Sequence, residues 1–242
     1  MARSAIVIGG SRGIGAAVAR RLAEDGLDVA FTFANAKGAA GTVVADVEKL
    51  GRRAIARQVD SEDDAALRAF ISETSETLGG LDVLVCNAGL LLPGGVEDYA
   101  MADYDRMMAV NARAVFSAIQ AGAKMMASGG RIIVIGSIVG ARTGFPGVSV
   151  YGMTKAAVAA LVRGAAIDLA PRAITVNTVA PGPTITGMNP ADGPMAERIT
   201  SSVPLGRMAD AREIASLVSY LAGPESSFVT GATFTVDGGV SA

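Results

Sequence analysis

The sequence contains no histidine and a single cysteine among 242 residues. Without histidine there is no Ser-His-Asp triad, no Cys-His pair and no imidazole ligand. One cysteine cannot close an internal disulfide, and without histidine beside it no ordinary zinc site is expected. No charge of either sign dominates: 21 Lys and Arg stand against 23 Asp and Glu, a formal net charge of −2. A nucleic-acid binder needs a basic face, so nucleic acid is not an expected partner. Long hydrophobic runs are missing too. The mean hydropathy is +0.41, yet no run approaches the ~18 apolar residues of a spanning helix. The stretch Met1-Ala2-Arg3-Ser4, then Ala5 to Ile8, is too short for a secretory leader, and Gly9-Gly10 ends it. The expectation is a soluble chain in a reducing, cytoplasmic setting, without a membrane partner.

What is present is apolar and rich in glycine. Half the residues are hydrophobic and 18% charged, too apolar for disorder. Glycine accounts for 30 of the 242 residues, where ~7% is usual. Three short runs, Ala5 to Ile8, Val83 to Cys86 and Ile132 to Ile135, do not alternate with polar residues. Such runs read as strands covered on both faces, the habit of parallel sheets. Further strands are expected at Asp28 to Phe33, Ala54 to Gln58, Thr175 to Ala180 and Thr233 to Val236. Helical spacing lies between them: Ile14, Val18 and Leu22 in Gly13 to Asp25, Val43, Val47 and Leu50 in Thr42 to Leu50, and Ala66, Phe70, Thr74 and Leu78 in Glu62 to Leu78. Strands alternating with such helices imply right-handed βαβ units. No linker, repeat or low-complexity block interrupts them, so a single doubly wound α/β domain over 1–242 is predicted.

The first strand runs into Gly9-Gly10-Ser11-Arg12-Gly13-Ile14-Gly15 and then a helix. Glycines there let the backbone turn tightly against a pyrophosphate, and the helix N-terminus supplies free N–H groups and a favourable dipole. An ordinary strand-to-helix turn is the alternative; the position after a first strand and before an amphipathic helix favours the dinucleotide reading. Sites for NAD commonly place an acid about 20 residues further on, where it bonds the ribose 2′-hydroxyl. No Asp or Glu occurs from Phe31 to Ala45, while Lys37 lies in that window and Arg12 in the turn. Those cations suit a 2′-phosphate, so NADP(H) is expected. Lys37 reads equally as a solvated loop charge.

Of the four tyrosines, only Tyr151 has a lysine four residues later, Lys155. If Tyr151-Gly152-Met153-Thr154-Lys155 opens a helix, both side chains share one face. That helix would run to Asp168 or Leu169 with Val158, Leu161, Val162 and Ala165 as its apolar face, and Pro171 would end it. A free tyrosine titrates near ~10; reaching ~7 takes about 4 kcal/mol of anion stabilisation. An ammonium at ~4 Å in an effective dielectric of ~20 supplies roughly that. Tyrosine can then stand in for the missing histidine as general acid/base. The alternative is an exposed polar pair.

These elements, in order, are Gly9-x-x-x-Gly13-Ile14-Gly15, Asp60, Cys86-Asn87-Ala88-Gly89, Asn111, Ser137, Tyr151-x-x-x-Lys155, Asn177 and Pro181-Gly182 followed by Thr186. Together they resemble the short-chain dehydrogenase/reductase family across essentially the whole chain, and within it the carbonyl reductases like 3-oxoacyl-carrier-protein reductase. The resemblance implies a Rossmann fold with a seven-stranded parallel sheet. It implies that Tyr151 gives a proton to a carbonyl, that Ser137 holds the same oxygen, and that Lys155 binds the nicotinamide ribose and lowers the tyrosine pKa. Asn111, in the helix after the fourth strand, would hold a water linking Lys155 to a proton relay. Asn87, Ala88 and Gly89 would line the cofactor, Asp60 and Ser61 would meet the adenine, and Pro181, Gly182, Thr184 and Thr186 would lie at the carboxamide. A homotetramer is implied by the same resemblance.

The chain departs from the pattern in places. Ile8 stands where the family usually has threonine, removing a hydroxyl that bridges to the fourth strand and suggesting weaker local order. Cys86 holds the place of a first asparagine and reads as a buried inert thiol. Ser137 and Tyr151 are separated by one residue more than is commonest, a difference that the Gly- and Pro-rich segment from Gly140 to Val150 can absorb.

The segment 183–203 lies where the family keeps its substrate lid. Thr184, Thr186, Met188, Pro190, Pro194 and Met195 within it, and Leu90-Leu91-Leu92, suggest a mostly apolar pocket for a small molecule, or plain loop packing. Arg142 and Arg198 are the cations that could meet a carboxylate there. The leading expectation is an NADPH-dependent carbonyl reductase acting reversibly on alcohols. A narrower alternative is a 3-oxoacyl-carrier-protein reductase. Such enzymes typically keep basic residues just before the fifth strand, where this chain has Ala127-Ser128-Gly129-Gly130; Arg172 is the other candidate for that docking. An alternative of another class is a non-enzymatic sensor or scaffold that binds NADP(H) or another nucleotide, against which the intact Asn111, Ser137, Tyr151 and Lys155 speak.

Overall fold

The computed structural model describes residues 3–242. Met1 and Ala2, which open both the 1–242 span and the stretch read as too short for a secretory leader, lie outside the described residues. The strands are β1 (Ser4–Ile8), β2 (Asp28–Phe33), β3 (Ala54–Gln58), β4 (Leu81–Cys86), β5 (Met126–Ile135), β6 (Thr175–Pro181) and β7 (Thr233–Val236). The helices are α1 (Gly13–Glu24), α2 (Lys37–Lys49), α3 (Asp64–Leu78), α4 (Met101–Met108), α5 (Ala114–Met125), α6 (Ser149–Leu169), α7 (Ala196–Ser201) and α8 (Ala211–Ala222). The described strands form one seven-stranded parallel sheet in the order β3-β2-β1-β4-β5-β6-β7. This is the doubly wound, Rossmann-type architecture expected from the unbroken apolar runs.

Neighbouring residues of one strand feed opposite faces, as the pleat demands. Ile6, Leu84, Ile132 and Val176 pack with Phe70 of α3 and Val158 of α6 in one core. Val7, Val85 and Ile133 pack with Leu22 of α1 and Val218 of α8 in the other. Strand residues with apolar side chains on both faces can exist only between two helical layers, which is why the runs lack polar alternation.

Some boundaries differ from the sequence expectation. Helix α2 begins at Lys37, five residues before Thr42, because Gly38 and Gly41 interrupt its apolar spacing without stopping the helix. Strand β5 reaches back to Met126, which pairs with Leu81 before a register shift to Val83↔Arg131. Glycines 129 and 130 sit at that irregularity and hide the strand. Helix α8 is announced by a capping box: Asp210 and Glu213 each bond the other's backbone N–H region.

One helical stretch, Ser149–Arg172, is long and apolar enough to cross a membrane by length and composition. It contains Lys155, Arg163 and Asp168, so no unbroken apolar run of that length exists. Its Val158, Val162, Ala165 and Ala166 are core residues against the sheet.

The register places the site. Ile8 pairs with Cys86, so β1 and β4 end level and Gly9 and Asn87 leave the sheet side by side. Strand order reverses here, with β2 and β3 on one side and β4 to β7 on the other. Ligands of open α/β sheets bind at this crevice, beyond the carboxyl ends of the strands.

Candidate active site

The glycine turn is built by close approach. Gly9 has a φ of 83° and donates its N–H to Thr32 Oγ1 at 2.9 Å. Its carbonyl accepts from Asn87 Nδ2 at 2.6 Å. A Cβ on Gly15 would stand 2.0 Å from that carbonyl oxygen and 2.5 Å from Asn87 Nδ2. The bridge that a threonine would make from position 8 is made instead by backbone: the Ile8 carbonyl accepts from Ala88 N at 2.7 Å and from Asn87 N at 3.1 Å. The sequence suggested weaker order there; the turn is nevertheless tied to both β2 and β4.

Beyond the turn, α1 starts with no side chain capping it and no acid in its first turn. Arg12 is exposed, Ser11 is buried, and Thr186 lies over Gly13, 3.2 Å from where a Cβ would be. A helix N-terminus with uncapped N–H groups fits a pyrophosphate. Lys37 is the exposed first residue of α2. Asp60 is exposed just past β3, and its Oδ1 accepts from Glu62 N at 3.0 Å. Ser61 is half-buried beside it. Arg113 Nη2 bonds the Glu62 carbonyl at 3.0 Å, fixing this segment to the turn that carries Asn111.

The second cluster gathers Asn111, Ser137, Tyr151 and Lys155. Helix α6 begins at Ser149, so Tyr151 and Lys155 do share a helical face. Lys155 is buried and donates to the Ile135 carbonyl at the end of β5, at 3.0 Å. Its Nζ lies 5.7 Å from the centre of the Tyr151 ring. Ser137 is the extended residue before a short 3-10 turn, Ile138–Gly140, and accepts from Val139 N at 3.2 Å. Gly140 presses that turn onto α6: a Cβ there would be 2.8 Å from the Lys155 carbonyl carbon. This packing holds Ser137 beside Tyr151 despite the extra residue between them. Gly89 lies against the cluster from the other side; a Cβ on it would be 3.4 Å from both Asn111 Oδ1 and Lys155 Nζ.

Asn111 sits in a five-residue π-helical turn, Ala109–Arg113, between α4 and α5. Such turns displace the regular backbone bonding and recur at functional sites. Its side chain is engaged: Nδ2 donates to the Leu90 carbonyl at 2.8 Å and to Thr154 Oγ1 at 3.2 Å, while Oδ1 accepts from Leu90 N at 2.9 Å. The side chain therefore orders Leu90. Asn177 is likewise structural, holding Val229 O at 2.7 Å and Ala232 N at 3.1 Å.

The electrostatics differ from the expectation. Burial pushes Lys155 down to about 8. Burial pushes the Tyr151 phenol above its ordinary value, and the neighbouring Ser137 hydroxyl pulls the other way. The Lys155 ammonium is held on the Ile135 carbonyl, with its Nζ 5.7 Å from the centre of the tyrosine ring, and burial dominates the phenol. Tyr151 is thus a protonated acid at neutral pH. An ammonium has three N–H donors. Among the described residues only Ile135 accepts from Lys155, so the remaining donors fit the hydroxyls of a ribose. Burial pushes the Cys86 thiol up to about 12, as an inert core thiol requires.

Pro181 ends β6, and Thr184 Oγ1 donates to the Gly182 carbonyl at 3.0 Å. Arg142 spends its Nη1 on the Val240 carbonyl at 2.8 Å, while Arg198 is exposed on α7. Arg172 donates to the carbonyls of Ala123 and Met126, and Arg131 is buried on the carbonyls of Gly129, Gly130 and Gly223. Thr32, Thr154 and the Ile135 carbonyl had no place in the sequence reading. The first two are threonines in apolar elements, a faint signal; a backbone carbonyl leaves none.

Comparison with known proteins gives the family. The model of a family described as Enoyl-(Acyl carrier protein) reductase matches residues 8–241. The cyclic-di-GMP-binding biofilm dispersal mediator protein of Escherichia coli (strain K12) is 40% identical over 240 residues, covering 99% of this chain and 98% of that protein. The 3-oxoacyl-[acyl-carrier-protein] reductase FabG of Staphylococcus aureus (strain Mu50) is 37% identical over 243 residues, again covering 99% and 98%. A crystal structure of a short chain dehydrogenase from Burkholderia cenocepacia J2315 in complex with NADP is similar with a TM-score of 0.97 and 46% identity, over 99% of this chain and 98% of that one. Matching in sequence and in backbone over nearly its full length, the chain belongs to the short-chain dehydrogenase/reductase family of oxidoreductases.

Proposed function

We propose that the chain is an NADPH-dependent carbonyl reductase. The observation that carries this reading is the meeting of Ser137, Tyr151 and Lys155 at the strand ends, on the same crevice as the glycine turn. Bound NADPH supplies the hydride. The protein supplies the proton and the hold on the carbonyl. Tyr151, kept protonated by burial, donates to the substrate oxygen. The Ser137 hydroxyl donates a second hydrogen bond to that oxygen and steadies the charge growing on it. Lys155, positively charged below about pH 8, holds the cofactor ribose and faces the alkoxide side of the reaction. Arg12 and Lys37, with no acid between Phe31 and Ala45, favour a 2′-phosphate. The NADP-bound relative from Burkholderia cenocepacia supports the same choice. Asp60 and Ser61 serve the adenine, Asn87 to Gly89 and Pro181 to Thr186 the nicotinamide end. The segment 183–203 is the lid, with Thr186 reaching the glycine turn. The homotetramer belongs to this proposal too; exposed Phe116, Ile167 and Phe228 are apolar surface for it.

The test follows NADPH absorbance across a carbonyl panel. Turnover of ketones or aldehydes, with kcat/KM larger for NADPH than for NADH, supports the reading. A preference for a carrier-linked 3-oxoacyl substrate would favour the narrower alternative that the S. aureus relative suggests, although Arg172, its candidate docking cation, is occupied by backbone carbonyls. Tight cofactor binding with no turnover on any substrate would favour a sensor.

A further inference from the structure

After β7 the chain makes a compact turn around one carboxylate. Asp237 Oδ1 accepts from Gly239 N at 3.0 Å, and Oδ2 accepts from Ser241 N at 2.8 Å and from the Ser241 hydroxyl. Gly238 and Gly239 take φ values of 63° and 91°, which the turn requires. Burial opposes the charge on Asp237, but the Ser241 hydroxyl and these amides outweigh it and hold the carboxyl below its ordinary value.

The turn's other contacts are made with the walls of the candidate site. Gly238 O accepts from Leu205 N at 3.2 Å, at the foot of the lid segment. Val240 O accepts from Arg142 Nη1 at 2.8 Å, in the loop between Ser137 and Tyr151. Behind it, Gly182 N donates to Val236 O at 2.9 Å, and a Cβ on Gly182 would be 2.6 Å from Asp237 Cα. Three segments distant in sequence are therefore spaced by a turn whose shape depends on one carboxylate. A turn serving only its own end would leave the carbonyls of Gly238 and Val240 to water; here both are spent on site walls.

We infer that Asp237 is a positioning residue for the reaction: its carboxylate shapes residues 238–242 into a spacer that sets the distance between the lid foot at Leu205 and the Arg142 loop, and so the opening through which the carbonyl substrate reaches Tyr151. The inference rests on the carbonyl-reductase reading for its kinetic consequence. Asp237 touches the walls and not the reacting atoms, so its removal affects substrate capture more than chemistry.

The test uses the full chain with Asp237→Ala, Asp237→Asn, Arg142→Met and the double variant Asp237→Ala/Arg142→Met. With a carbonyl that the wild type reduces, Asp237→Ala is expected to raise KM about fivefold or more while kcat changes less than about threefold. Asp237→Asn keeps one acceptor and falls between. Arg142→Met alone raises KM about twofold or more, and the double variant is no worse than Asp237→Ala, because both act through one turn. Unchanged KM in Arg142→Met, or strictly additive effects, would overturn the inference even if Asp237→Ala folds poorly. Amide hydrogen exchange at Leu205 gives a reading that needs no substrate: it should speed up in Asp237→Ala and Asp237→Asn. Unchanged exchange there overturns the inference, whereas faster exchange in the Asp237 variants of a chain whose wild type reduces no carbonyl overturns only the reaction assignment.

Discussion

The Lys155 ammonium donates to the Ile135 carbonyl at 3.0 Å while standing 5.7 Å from the centre of the Tyr151 ring. The lysine is therefore tethered to the end of β5 and not to the phenol. Tyrosine keeps its proton, which suits reduction, where a proton must be given. The lysine is buried, charged at neutral pH and short of acceptors until a polyhydroxyl ligand arrives.

That arrangement makes the ligand-free protein's stability depend on pH. Burial lowers Lys155 to about 8 in the folded state, while the unfolded value is ~10.4. Between these values the unfolded chain binds more protons, so stability rises with pH across that window and the cost of the charge is fully present below it. Lys155→Met should stabilise the ligand-free protein by about 1–3 kcal/mol at pH 7 and by much less near pH 10. Urea unfolding at the two pH values measures this; an equal difference at both would contradict it.

Two glycines should respond in opposite ways. A Cβ on Gly15 meets the Gly9 carbonyl at 2.0 Å, a backbone clash that nothing flexible can relieve. Gly15→Ala should weaken NADPH binding at least about tenfold, about 1.4 kcal/mol. Gly41, exposed within α2, has nothing within 4 Å of a Cβ, so Gly41→Ala should stabilise by about 0.5–1 kcal/mol with binding unchanged. Cofactor titration and thermal melting read both.

Arg12, exposed at the start of α1, is the guanidinium nearest in sequence to the glycine turn. Arg12→Ala should raise KM for NADPH about tenfold and leave that for NADH within about twofold, since only the 2′-phosphate is addressed. Equal losses for both cofactors would remove Arg12 from the specificity argument.

Cys86 should be chemically silent. Its thiol is buried and pushed up to about 12, so thiolate is scarce at pH 8. Iodoacetamide should label it only after unfolding; mass spectrometry of native protein showing rapid labelling would contradict the packing around β4.

Much of this architecture was legible because burial on both faces leaves a plain record. Ala5 to Ile8, Val83 to Cys86 and Ile132 to Ile135 cannot be amphipathic when helices cover both sides of the sheet. Tyr151 and Lys155 were legible because helical spacing aligns them. The start of β5 at Met126 was not, because Gly129 and Gly130 carry no strand signature. Nor was the π-turn at Asn111, since it is a change of backbone register and not of composition. The direction of the Tyr151 shift is set by burial, which follows from how α6 packs and which no side-chain pattern announces. The spacer role of Asp237 needed the fold, because Leu205, Arg142 and Gly182 meet it only in space.

The central claim is that Tyr151 supplies the proton, and the most direct test compares wild type with Tyr151→Phe on the carbonyl that the wild type reduces fastest. The account predicts that kcat falls at least about 100-fold while the NADPH dissociation constant changes less than about threefold. A Tyr151→Phe protein that reduces the carbonyl at the wild-type rate would contradict it.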